Sequence, residues 1–165
     1  MIMSTAISND INLLDTWFRI KFDAWRNEVI SKYPNARVFE ARRSKERQEW
    51  LYSQGRTRPW KIVTWTLQSK HLEGKAVDIV FLKDWKPTWN WPYDDLIEMA
   101  KKYWIDNLKP RETCHFEDNW KTFAQQAPDP DVQALIDDWI FNGEYEPMDN
   151  KRLIKMMWKL YNKVK

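Results

Sequence analysis

The chain contains two histidines, His71 and His115, and each lies in a dense polar cluster: residues 69–78 read Ser-Lys-His-Leu-Glu-Gly-Lys-Ala-Val-Asp, and residues 112–115 read Glu-Thr-Cys-His. Imidazole nitrogens and carboxylate oxygens are donors that zinc takes. A catalytic zinc site holds the ion with three protein groups, keeps a fourth position for water and sets a nearby glutamate to move the proton. His71, Asp78 and His115 supply two imidazoles and a carboxylate, and Glu112, three residues before His115, supplies a second carboxylate. This inventory points to a zinc hydrolase.

The spacing says how such a site must be built. His71 and Asp78 are separated by an odd number of residues, so on one regular strand they would face opposite sides of the sheet. A bend must intervene, and Gly74, one of three glycines in the chain, can take the positive φ of a sharp reversal. The run 76–81 that follows (Ala-Val-Asp-Ile-Val-Phe) reads as a largely buried strand with Asp78 its one charged member. An unpaired carboxylate there costs several kcal/mol, on the order expected for burying a charge, and its usual escapes are a cation or a metal. Glu112 and His115 also differ by an odd number, which places Glu112 in a turn before a short strand 114–116. Taken singly, each residue has an ordinary reading: a hydrogen-bonded histidine, an aspartate paired with Lys or Arg. The joint pattern carries the argument.

Ser69-x-His71-x-x-Gly74-x-Ala76-x-Asp78 followed by Glu112-x-x-His115 resembles the signature of the zinc D-alanyl-D-alanine carboxypeptidase and L-alanyl-D-glutamate endopeptidase family, which includes phage endolysins. Residues 43–48 and 51–57 are similar to that family's N-terminal block, and the resemblance spans residues 36–118. It implies a hedgehog/DD-peptidase-like α+β fold, with Zn2+ held by His71, Asp78 and His115. Glu112 is implied as the general base that later protonates the leaving amine, and Arg43 as a donor to the oxyanion on the scissile carbonyl. Ser69 and Gln54 are implied substrate contacts. The implied substrate is a peptidoglycan stem peptide. Arg42, next to Arg43, leaves the choice of arginine open.

Composition bounds the rest. A chain of 165 residues with 43% hydrophobic residues is long enough for one domain with a real core. There is no apolar run of about eighteen residues and no charged-then-apolar leader, so we expect neither a membrane span nor a secretory signal, and synthesis in the cytoplasm before action on the wall. One cysteine excludes an internal disulfide. Strand alternation would turn Cys114 away from the metal and into the core. A net charge of +3 spread among acids gives nucleic-acid binding little support. The oligomeric state is not legible. Twelve tryptophans are far above normal use. Trp85, Trp89 and Trp91 fall in a Pro-containing stretch after the Asp78 strand, which reads as a loop either stacking on sugar or peptide or capping the core.

Around these groups the chain reads as a mixture of helices and a small antiparallel sheet without βαβ alternation, an α+β pattern. We expect helices over residues 9–31, 44–53 and 92–104, and a strand over 37–41, with Ser8, Asn9 and Asp10 as caps of the first helix and Gly55 as the stop of the second. A peptidase domain over residues 1–120 is expected to carry a C-terminal helical hairpin over 121–165, its acidic first part matched to its basic second part. Three functions compete: the wall endopeptidase, the related D-alanyl-D-alanine carboxypeptidase, and a binding or structural protein of the same fold in which zinc only organises the domain. Glu112 discriminates the last, since a binder has no need of a base there. A non-haem iron oxygenase fits the ligand types but not the spacing or the glycine content.

Overall fold

The computed structural model describes residues 5–119. The expected hairpin over 121–165 lies outside them. After a short 3-10 turn, Ile11–Leu13, the order is α1 (Thr16–Lys32), β1 (Ala36–Glu40), α2 (Lys45–Ser53), a second 3-10 turn (Lys70–Glu73), β2 (Ala76–Lys83), β3 (Lys86–Thr88), α3 (Asp94–Lys101), β4 (Ile105–Leu108) and β5 (Glu112–Asp118). All strand pairs are antiparallel, in the order β1-β2-β5-β4, with β3 pairing the end of β2. This is the expected α+β fold.

α1 begins later than its apolar spacing suggests. Asp10 caps only the 3-10 turn, and Asp15 caps the helix, its Oδ1 accepting from the amides of Trp17 (3.1 Å) and Phe18 (3.2 Å); such a cap contributes about 1 kcal/mol. Phe18, Phe22, Trp25 and Val29 then recur on one face and are all fully or nearly fully buried. At roughly 1.5–3 kcal/mol per large apolar side chain, this face holds α1 to the sheet. Trp25 packs on Phe116 of β5, ring centroids 4.6 Å apart, and its indole N–H donates to the carbonyl of Leu96 in α3. Lys21, buried on the same helix, donates to the Asp118 carboxylate at the end of β5.

β2 is the hub, and residues 76–81 are buried throughout. Two expectations change around it. The stretch after β2 is a hairpin rather than a loop: Asp84 and Trp85 both take positive φ at its tip, leaving Trp85 92% exposed, while β3 turns back on β2. Trp91 does cap the core, stacked on Phe81 at 4.7 Å, and Trp89 meets Phe39 edge-on. α3 is shorter than the 92–104 pattern, because the chain turns through Trp104 at φ 50° and enters β4 at the next residue. Among the described residues, no helix is long and apolar enough to cross a membrane.

Candidate metal centre

Register places the polar groups in a row across the sheet. Glu40 on β1 lies opposite Asp78 on β2, and Asp78 lies opposite His115 on β5. His71 joins them from the 3-10 turn, whose start is capped by Ser69 Oγ accepting from the His71 amide. The turn ends at Gly74 in the left-handed region, φ 72°. A Cβ there would lie 2.8 Å from the Asp15 nitrogen and 2.9 Å from the Leu13 oxygen, so glycine is required both by φ and by the close approach of the segment before α1. This is the reversal that the His71 to Asp78 spacing demands. The segment after β1 fixes His71 from both sides: the His71 Nδ1 lies 2.6 Å from the Ala41 carbonyl, and the Arg43 amide donates to the His71 carbonyl at 2.9 Å.

The donor atoms converge on one point. His71 Nε2 lies 3.2 Å from His115 Nδ1, His115 Nδ1 lies 3.2 Å from Asp78 Oδ1, and His71 Nε2 lies 3.3 Å from Asp78 Oδ1. Ligands at ordinary zinc bond lengths in a tetrahedron are about 3.3 Å apart, so the triangle has the dimensions of one face of such a site. Tautomers follow from the outer contacts. His71 Nδ1–H donates to the Ala41 carbonyl and His115 Nε2–H to Glu117 Oε2 at 3.0 Å, so each ring, when neutral, has its lone pair on the inward nitrogen. Two such nitrogens and a carboxylate oxygen facing one another, with all three residues buried, are a donor set that could hold a cation. The residues present fit zinc.

Protonation of the bare cluster tells the same story. Burial works against the charged forms, but the contacts between Asp78 and the two imidazoles outweigh it: the Asp78 carboxyl is held well below the usual carboxylate range, and His115 is pushed up to about 9 by Asp78 and Glu117. A positive charge between these atoms is therefore strongly favoured. Glu112, at the first position of β5, carries a carboxyl raised by partial burial and by the Asp78 charge. One of its oxygens lies within 4.8 Å of Asp78, at the exposed edge of the cluster. It belongs to the strand, not to a preceding turn. The odd spacing is resolved by a register break in which Asn107 pairs with Phe116 but Leu108 pairs with Glu112. Asn107 Nδ2 spans the irregular stretch, donating to the carbonyls of Thr113 (2.8 Å) and His115 (2.7 Å).

The same break changes the expectation for Cys114. It packs against the core, yet its sulfur also comes within 4.8 Å of oxygens of Asp78 and Glu112, because alternation is suspended there. Burial and the two carboxylates push its thiol up to about 12, which disfavours the thiolate a metal needs. Arg43 borders the site: one Nη lies 2.6 Å from Glu40 Oε2 and 3.6 Å from Asp78 Oδ2, and the other donates to Gln48 Oε1 at 2.7 Å. Its Nε is buried without a hydrogen-bond partner. Arg42 is exposed. Gln54 is buried at the end of α2, donating to the Trp50 carbonyl, and Ser69 is occupied as a cap, so the contacts of both are local. Sequence reasoning missed Glu117, Glu40, Asn107 and Gln48. For Glu117 a signal existed, since it follows His115 by two and so shares its face of β5.

No family model matches the chain. The peptidoglycan L-alanyl-D-glutamate endopeptidase CwlK of Bacillus subtilis (strain 168) is 32% identical to it over 106 residues, covering 61% of the chain and 63% of that relative, so the chain spans less than two thirds of its relative's length. The crystal structure of the L-Ala D-Glu endopeptidase ChiX of Serratia marcescens shares the fold, with a TM-score of 0.53 at 19% identity over 73% of this chain and 92% of that one.

Proposed function

We propose that the chain, which is similar to L-alanyl-D-glutamate endopeptidases, is a zinc-dependent peptidoglycan hydrolase that cuts the L-alanyl-D-glutamate bond of the wall stem peptide. The observation that carries this reading is the triangle of inward lone pairs on His71, Asp78 and His115 beside a carboxylate of raised pKa on Glu112. When bound, zinc supplies a Lewis acid that polarises the scissile carbonyl and lowers the pKa of water.

The chain's own groups do the rest. Glu112, its carboxyl raised by partial burial and the Asp78 charge and placed at the open edge of the cluster, takes the proton of the attacking water and hands it to the leaving amine nitrogen. Ala41 and Glu117 fix the two imidazole tautomers, so that the inward nitrogens never need to shed a proton during turnover. Arg43 sets a positive charge beside Asp78, where negative charge grows on the carbonyl oxygen as the tetrahedral centre forms. Ser69 and Gln54 are the proposed substrate contacts. In this reading the protein acts as an endolysin, reaching the wall after release or delivery.

Mass spectrometry of the products released from purified sacculi tests the proposal. Fragments with a new amino terminus on D-glutamate are expected. Free D-alanine would assign the D-alanyl-D-alanine carboxypeptidase reaction, and no product with stoichiometric zinc bound would leave a zinc-stabilised binding protein.

A further inference from the structure

Residues 60–67 form an apolar crest that the chemistry above does not use. Trp60, Val63, Trp65 and Leu67 are 74%, 44%, 80% and 50% exposed, in a single stretch of eight residues. Contiguous exposure of this kind is costly and marks contact surfaces. The crest is not loose. Arg56 lies over the Tyr52 ring at 3.8 Å and beside Trp65 at 5.6 Å, and its Nη1 donates to the carbonyl of Thr64. Gln48, fully buried, holds the stretch from below: its Nε2 donates to the Thr66 carbonyl at 2.7 Å, while its Oε1 accepts from Arg43. One glutamine side chain therefore separates the backbone of the crest from the arginine that touches Asp78. Downstream, the same stretch runs through the Ser69 cap into His71.

Between Glu49 and Glu73 there is no acidic residue, whereas Arg56, Arg58, Lys61 and Lys70 are cationic. A ligand for this surface needs flat apolar faces for two indoles and negative charge or many acceptors for the bases. The position of the scissile bond says what that ligand is. L-alanine is the first residue of the stem and is joined to the muramoyl sugar, so a cleavage centre at the L-alanyl-D-glutamate bond holds the glycan within about one residue's length of itself, a few ångströms of extended chain. We propose that the crest is a glycan-contact strip, in which Trp60 and Trp65 stack on the sugar rings next to the scissile peptide and Gln48 sets the strip's distance from Arg43. This rests on the L-alanyl-D-glutamate reading, since a bond at the far end of the stem would leave the sugar out of reach.

The test compares the full chain, loaded with zinc, on a soluble disaccharide stem peptide and on the same stem peptide without sugar. The wild type should prefer the sugar-bearing substrate by kcat/KM. At about fivefold per stacked ring, the double variant Trp60→Ala/Trp65→Ala should lower that preference by roughly tenfold or more, mainly through KM. Trp85→Ala, at a still more exposed indole on the hairpin tip, should leave it unmoved. Three results overturn the strip while leaving the peptidase intact: a wild-type preference near one, a preference unmoved in the double variant, or equal losses on both substrates, which would assign the rings to the peptide. A fall of the same size in Trp85→Ala would reduce the effect to general adhesion. If the wild type cleaves neither substrate, the proposed function fails and the strip fails with it.

Discussion

The side-chain amide of Asn107 on β4 holds the main-chain carbonyl of His115 on β5 at 2.7 Å. Through its second bond to Thr113, it pins the stretch that brings Glu112 to the site. Asn107→Leu keeps the branched shape and removes both bonds. We expect zinc affinity and turnover each to fall by about 10-fold, at the low end for losing an outer support of a ligand. Competition with a colorimetric chelator reads the affinity; a value equal to wild type would make the amide a bystander.

The protein purified with zinc should carry about one ion per chain, and uptake should release a proton, because His115 is pushed up to about 9 and must lose that proton to bind a cation. Titration calorimetry in two buffers of different ionisation enthalpy measures the proton count near neutral pH. Equal heats in both buffers would contradict the assigned protonation.

Stability of the chelated protein should depend on pH with a defined sign. His115 has its folded pKa raised from 6.5 to about 9, so its contribution is fully present below about pH 6.5 and is lost as pH rises through 9. The urea midpoint should fall across that window without zinc and stay nearly level with saturating zinc, where the cation replaces the proton. A midpoint that rises between pH 7 and 9 in the chelated protein is the adverse result.

Glu112→Gln should retain zinc and the fold, and lower turnover by about 10²-fold or more, the usual scale for a positioned acid and base. His115→Ala should instead weaken zinc binding. A fully active Glu112→Gln enzyme would remove the proposed proton carrier and favour a structural zinc site.

Arg43 allows a separation of roles. If it offsets charge on the oxyanion, Arg43→Ala lowers kcat more than it raises KM, and Arg43→Lys restores little because a lysine cannot reproduce the planar donor fork shared between Glu40, Asp78 and Gln48. An unchanged kcat with raised KM would make it a ground-state clamp.

The donor set was legible because its chemistry is rare in the chain: two histidines, and one acid inside an apolar strand, leave few combinations. Gly74 was legible for the same reason, since few residues tolerate the φ a reversal needs. What stayed hidden depends on pairing between distant segments. The row Glu40, Asp78, His115 exists only through antiparallel register, and the break beside Asn107 cannot be read from either strand alone. That break is why Glu112 sits within β5 and why Cys114 approaches the carboxylates that strict alternation would turn it from. The start of α1 was missed because Asp10 and Asp15 are equally good caps on residue type, and the contacts behind Leu14 and Gly74 decide between them.

The cross-sheet row also ties the candidate cation site to strand register. A slip of one residue between β2 and β5 would send Asp78 or His115 to the opposite face, and with it the cation site would vanish rather than weaken. If zinc binds there as proposed, its uptake would report on strand register and favour the pairing that can bind it.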